Sequence, residues 1–207
     1  MKNEMDLRSY QSISILDNVL PDPIFENVVK FITNNKNEII TNRTSYWYEF
    51  YDPKCPIEEM IDYLKLKVQE AFPNNSVGAE WWVQYKSKED MGHVLHRDID
   101  DKYYMKTRKV RRPIIGSVFY IGQEDGRAGN LVIYTSPFSK SPIYVPPEPN
   151  RLVLFDAGNF LHGVTDHSGK IIEEISSSKN SSSTENIRVS IPVNWWLEQI
   201  EGAIKYS

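Results

Sequence analysis

His96, Asp98, His162 and Arg188 stand in that order along the chain, each inside an apolar or β-branched run, and their residue types spell a metal centre beside an anion clamp. On a β-strand, residues i and i+2 point to the same face. A strand through His96, Arg97 and Asp98 therefore aims an imidazole and a carboxylate at one point and turns Arg97 away. A second strand, through Arg151 to Phe155 and on through Phe160 to Val164, brings His162 in from across the interior. Two histidines and one carboxylate on one face of a metal leave three positions open, which suits ferrous iron working with a chelating co-substrate and O2.

From Ile187 to Trp196 the alternation puts Arg188 and Ser190 on one strand face, with Val189 and Ile191 on the other. A guanidinium and a hydroxyl turned into a barrel call for an acidic guest, and a carboxylate gripped by both prongs of the guanidinium is the natural one. The competing reading, an Arg on a solvated strand face, is outweighed by the three metal-type residues upstream. His93 lies three positions before His96, and on a strand such a pair faces opposite sides, so it reads as a surface histidine or one supporting a ligand from behind. His167 falls in a polar turn and reads as solvated. Among the tryptophans, Trp81, Trp82, Trp195 and Trp196 read as core and rim aromatics, with Trp195 placed for a pocket wall.

These residues need a frame. Apolar stripes with a proline at the start predict helices over Pro21–Asn34 and Pro56–Phe72. After Gly78 the pattern changes to strands over Glu80–Tyr85, Ile114–Ile121, Leu131–Tyr134, Ile143–Val145, Leu152–Phe155 and Ile187–Val193, punctuated by Gly and Pro turns. The layout is α+β, with two N-terminal helices bracing a closed or sandwiched β-core. The Ser-rich run from Ser176 to Thr184 cannot build a packed element and is expected to be a mobile loop.

Several stretches resemble the Fe(II)- and 2-oxoglutarate-dependent dioxygenases of the prolyl 4-hydroxylase-like group. They are Ile15–Leu20 before a helix, Val83–Tyr85 before the His-x-Asp, Val118–Ile121, Gly129–Tyr134, Arg151–Phe155, Leu161–Val164 and Arg188–Ser190. The resemblance implies a double-stranded β-helix (jelly-roll) core that couples decarboxylation of 2-oxoglutarate to succinate with oxidation of a second substrate by O2. It implies Fe(II) on His96, Asp98 and His162, and 2-oxoglutarate held by Arg188, Ser190 and Tyr85. Ascorbate is an expected stimulant. The chain departs from the pattern twice: Arg188 follows the distal histidine only after a long insertion, and the usual Gly-Gly reads Gly129-Asn130.

Composition agrees with one enzyme domain over residues 1–207, helical to about 75, β-core about 79–196, with the mobile insertion about 172–186. Hydrophobic residues at 40% and aromatics at 12% suffice for a single core. One cysteine, Cys55, excludes an internal disulfide framework and fits a reducing compartment. The first residues carry no apolar leader, and no run approaches the roughly 18 apolar residues of a membrane span. A cytoplasmic enzyme is expected, and no membrane partner.

A net charge of −4 argues against broad nucleic-acid binding. Lys102, Lys106, Arg108, Lys109, Arg111 and Arg112 nevertheless crowd the stretch after the metal dyad. A solvated loop is the plain reading. Its place beside the expected entrance points instead to an acidic or carboxylate-bearing primary substrate: a peptide, an amino acid or a small metabolite.

Other chemistries fail on single residues. His96-Arg97-Asp98 mimics a kinase catalytic triplet, but Tyr103 stands where the catalytic Asn belongs, and there is no Gly-rich loop. No Gly-x-Ser-x-Gly elbow is present. A halogenase would lack Asp98. A nucleic-acid demethylase on the same scaffold would show a second Arg soon after Arg188, and a cupin-like module without turnover would not need Arg188.

Overall fold

The computed structural model describes residues 13–41, 44–72, 75–86, 92–123, 129–136, 138, 141–172 and 188–207. The elements in chain order are β1 (Ile13–Leu16), α1 (Asp22–Asn34), α2 (Lys36–Thr41), β2 (Tyr46–Tyr48), α3 (Pro56–Ala71), β3 (Gly78–Trp81), β4 (Gln84–Lys86) and β5 (His93–His96). They continue with α4 (Asp101–Thr107), β6 (Ile115–Gln123), β7 (Leu131–Tyr134), β8 (Ile143–Val145), β9 (Arg151–Phe155), β10 (Leu161–Val164) and β11 (Arg188–Trp196). Among the described residues the strands form two antiparallel sheets. One has seven strands in the order β1-β9-β6-β11-β3-β2, with β4 also paired to β11; the other has four, β5-β10-β7-β8.

Period-two alternation on the central strands sorts side chains between two compartments. Ile115 and Phe119 of β6 and Ile191, Val193 and Trp195 of β11 join a core with Val28 and Ile32 of α1 and Ile57, Met60, Ile61, Leu64 and Val68 of α3. The helices thus cover one face of the larger sheet, as the apolar stripes predict. On the other face, Tyr120, Val153 and Phe155 pack with Leu131, Ile133 and Val145 of the smaller sheet. This plug fills one part of the space between the sheets and leaves a cavity in the rest.

The β-structure is not confined to residues beyond 79. β1 and β2 lie inside the N-terminal part and close the two edges of the larger sheet. At three and four residues they are too short to show a period. The expected Glu80–Tyr85 strand is two strands. β3 pairs with Val193–Trp196 and β4 with Arg188–Ser190, and the ladder breaks opposite Pro192, which has no N–H and takes only the Trp82 N–H on its carbonyl at 3.3 Å. Nor do β9 and β10 form one run: the chain turns at Asp156–Phe160, where the Phe160 N–H bonds the Asp156 carbonyl at 2.7 Å, and changes sheets.

The Gly-Gly departure is also explained. A Cβ at residue 129 would lie 1.8 Å from the Thr165 carbonyl oxygen, so only the first glycine is sterically required. Asn130 keeps a Cβ and bonds Thr165 Oγ1 through its N–H at 2.9 Å. Ser176–Thr184 lies outside the described residues, as does all of the 172–186 insertion except Ile172. No helix among the described residues is long and apolar enough to cross a membrane.

Candidate active site

His96 on β5 and His162 on β10 are directly opposed in the antiparallel pair, so their side chains share a face, with ring centroids 4.3 Å apart. Each Nδ1 meets a carbonyl two residues back: Val94 O at 2.9 Å and Phe160 O at 3.0 Å. A carbonyl only accepts, so Nδ1 carries the proton and Nε2 keeps its lone pair for a metal. Both Nε2 atoms converge on Asp98 Oδ1, at 3.2 Å for His96 and 3.5 Å for His162. The donor atoms of the three residues all lie within 4.8 Å of one another. Neighbouring ligands on an octahedral ion with bonds of about 2.1 Å sit about 3 Å apart, so this cluster needs little contraction to close on one.

Asp98 is not on the strand. β5 ends at His96, and the aspartate is fixed by loop contacts: its N–H donates to Ala157 O at 3.0 Å and its Oδ2 accepts from Asn194 Nδ2 at 3.0 Å. Burial would raise its pKa, but the imidazoles of His162 and His96 turned on it hold the carboxyl well below the usual range. The same pairing raises His96 against its own burial. Two positions on, Asp100 is buried and caps α4, accepting from the Tyr103 N–H at 3.0 Å, from Arg111 Nη1 at 3.3 Å and from the Glu201 N–H at 3.0 Å. The chain leaving the metal cluster is therefore anchored on both sides.

His93 departs from strand parity. The β5–β10 register shifts between His162 and Val164, so three steps on β5 match two on β10. That extra residue turns His93 to the same side as His96, edge-on at 4.6 Å. Burial, with the charge of His96 beside it, lowers His93 to about 4 and keeps it neutral.

The cluster opens into a cavity of about 540 Å³ lined from both sheets. At one side lie Arg188 and Ser190, both 1% exposed. Arg188 Nη1 donates to Gly129 O at 2.5 Å, and its guanidinium sits 5.9 Å from the Tyr120 ring centre. Tyr120 is paired with Ser190 across β6 and β11, so it shares their face. The Ser190 hydroxyl is buried with no hydrogen-bond partner among the described residues. It lines the cavity.

Tyr85 is not in this cavity. Its strand partner is Val189, which faces the helices, and its hydroxyl reaches the Ile32 carbonyl of α1 at 3.4 Å. Gln84, paired with Ser190, takes the cavity-facing position. Alternation within the segment could not reveal which parity faced inward; only the register against β11 does. If the expected 2-oxoglutarate binds, Tyr85→Phe should accordingly leave its affinity within about twofold of wild type by calorimetry, since only one weak hydrogen bond is lost. A tenfold loss would place Tyr85 back in the site.

Sequence reading also missed Tyr120 and Asn194. Asn194 was legible in principle, because it continues the 188, 190, 192 face of β11. Trp195 is on the helix side, stacked on Phe50 at 5.5 Å, and the tryptophan that lines the cavity is Trp82.

The cavity is also lined by Ser45, Glu80, Trp82 and Asp101. Burial pushes Glu80 up to about 7, with the charges of Asp98 and Asp100 adding to it against a hydrogen bond from Ser45. None of the six cations between Lys102 and Arg112 lines the cavity. The stretch is α4 and its exit, not a loop at the entrance. Lys106 pairs with Glu201 at 3.1 Å, Arg111 with Glu198 at 2.9 Å, and Arg112 donates to Gly158 O at 2.6 Å. The positive entrance that favoured an acidic substrate is therefore not built by these residues. Reversing Lys106, Arg108 and Lys109 to Glu should leave the primary substrate's KM within about twofold, because exposed charges turned away from the cavity are screened over about 8 Å. A large, salt-sensitive rise in KM would show that substrate reaches this surface.

The chain matches a prolyl 4-hydroxylase from Pseudomonas putida over 91% of its own length and 89% of that protein's, with a TM-score of 0.56 at 15% identity. The fold is that of the prolyl 4-hydroxylases. A prolyl hydroxylase from Trichoplax adhaerens, solved with a hypoxia-inducible factor oxygen degradation domain peptide, matches over 90% and 84% with a TM-score of 0.55 at 14% identity. HygX from Streptomyces hygroscopicus, solved with nickel and 2-oxoglutarate, matches over 95% and 92% with a TM-score of 0.51 at 11% identity. No protein-family model and no curated protein sequence matches the chain.

Proposed function

We propose that this chain is an Fe(II)- and 2-oxoglutarate-dependent dioxygenase whose two facing sheets make a double-stranded β-helix. The observation that carries the reading is one cavity holding two histidine Nε2 atoms turned on Asp98 Oδ1, a buried Arg188, and a Ser190 hydroxyl with no hydrogen-bond partner among the described residues. His96, Asp98 and His162 hold the iron. Arg188, Ser190 and Tyr120 receive the distal carboxylate of 2-oxoglutarate, the first by charge-assisted hydrogen bonds and the other two as hydroxyl donors. Ferrous iron, when bound, supplies the O2 chemistry that splits 2-oxoglutarate into succinate and CO2 and oxidises the second substrate.

The chain's own work is placement and exclusion of water. Phe155 packs edge-on against His162 at 4.9 Å, and Leu131 and Val118 add apolar wall around the cluster. Hydroxylation of an unactivated carbon is the reaction we assign, on a protein side chain such as proline or on a small molecule. The peptide bound to the Trichoplax enzyme supports a peptide substrate on this fold.

Succinate release from 2-oxoglutarate with Fe(II) and ascorbate, measured against peptide, amino-acid and nucleotide pools, tests the assignment. Iron-dependent succinate that rises with a peptide or amino-acid pool is expected. Stimulation by the nucleotide pool alone would move the enzyme to nucleic-acid demethylation, and no iron-dependent succinate under any condition would overturn the assignment.

A further inference from the structure

Asp98 is the one member of the metal cluster that no β-ladder fixes, and a carboxylate can bind a metal through one oxygen or two. The difference matters in a site that must keep three positions open, since a second Asp98 oxygen would occupy one of them. Three contacts decide the matter. The Asp98 N–H is tied to Ala157 O at 3.0 Å, Oδ2 accepts from Asn194 Nδ2 at 3.0 Å, and Oδ1 alone faces both imidazoles. A carboxylate only accepts, so the Asn194 NH2 must be the group turned toward it.

Asn194 is itself held firmly. It is 4% exposed and sits on β11 between Glu80 of β3 and Gly116 of β6. A Cβ at Gly116 would come within 2.3 Å of Ala157 Cβ and 3.1 Å of Asn194 Oδ1, so the glycine leaves room for both partners of Asp98 at once.

Resting on the ferrous-site reading above, we propose that Asn194 is a positioning residue that makes Asp98 a one-oxygen ligand and so keeps the position for O2 open. Its amide holds Oδ2 off the metal. Without it the carboxylate is free to turn and bind through both oxygens, which retains the iron but closes a position.

The test uses the full chain loaded anaerobically with Fe(II) and 2-oxoglutarate, with nitric oxide as the probe for the O2 position and its electron paramagnetic resonance signal as the readout. Asn194→Ala should lower nitric oxide affinity at least tenfold while 2-oxoglutarate affinity stays within about threefold; the 10- to 100-fold loss of metal affinity usual on removing a supporting group should be offset here by the second Asp98 oxygen, leaving Fe(II) affinity within about threefold as well. Asn194→Leu, close to asparagine in shape but without the donor, should behave alike and stands in if the alanine variant does not fold. A purely structural role would weaken all three ligands together, and that result, or unchanged nitric oxide affinity, overturns the proposal. If the wild-type chain binds neither Fe(II) nor 2-oxoglutarate, it is the ferrous-site reading that has failed.

Discussion

His96→Ala, Asp98→Ala and His162→Ala should each abolish iron-dependent succinate formation while leaving a folded protein. The three donor atoms lie within 4.8 Å of one another, and each imidazole already has its proton committed to a backbone carbonyl, so the site is preorganised with its lone pairs inward. Loss of a group that merely supports a ligand commonly lowers metal affinity about 10- to 100-fold. Removing a ligand outright should exceed that, on the order of a hundredfold or more in the Fe(II) dissociation constant. The fold should survive, because the helix-facing core contains none of the three residues. Iron affinity by anaerobic titration, with circular dichroism for folding, checks both halves. Full turnover in any one variant would remove that residue from the ligand set.

Arg188→Ala should weaken 2-oxoglutarate by about a hundredfold or more with Fe(II) affinity barely changed. Truncating one partner of a buried, hydrogen-bonded charge pair costs about 2 to 5 kcal/mol. Arg188 meets the conditions: it is 1% exposed, braced on Gly129 O at 2.5 Å and flanked by the Tyr120 ring. Arg188→Lys should recover part of the loss, keeping the charge but not the planar fork. Of the two rival bases, Arg151 is committed elsewhere, with its Nε on Asp17 Oδ1 at 2.5 Å and its Nη1 on Pro146 O at 2.8 Å, and Lys170 is exposed and does not line the cavity. Calorimetric titration of 2-oxoglutarate into the metal-loaded variant decides it. Unaltered affinity would mean that the co-substrate lies elsewhere in the cavity.

What was readable in the sequence follows from how local each determinant is. Helices α1 and α3 and strands β6, β9 and β11 carry their signal in consecutive residues, the short β7 and β8 stand out as apolar runs between turn residues, and the ends of all seven agree with the pattern to within a residue or a few. Arg188 and Ser190 share a face because alternation along one strand is a property of that strand. Tyr85 failed because its orientation depends on pairing with Val189, a register set by residues a hundred positions away. The facing of His93 was misjudged because a bulge between two strands reverses parity, and neither strand shows it alone. The basic stretch was misread because its partners, Glu198 and Glu201, lie at the far end of the chain. Tyr120 escaped notice for the same reason, since a phenol gains its role only from what stands opposite; the facing of Asn194 was legible on β11, but its pairing with Asp98 was not.

Joint binding of ferrous iron and 2-oxoglutarate in one cavity can be followed by adding 2-oxoglutarate to the Fe(II)-loaded protein without oxygen and recording visible absorption. Chelation of Fe(II) by a 2-oxo acid gives a charge-transfer band that neither component shows alone. This band should saturate at one 2-oxoglutarate and one iron per chain, be lost in Asp98→Ala and shift to much higher 2-oxoglutarate in Arg188→Ala. A wild-type chain that binds iron but develops no such band at any 2-oxoglutarate concentration would contradict joint binding.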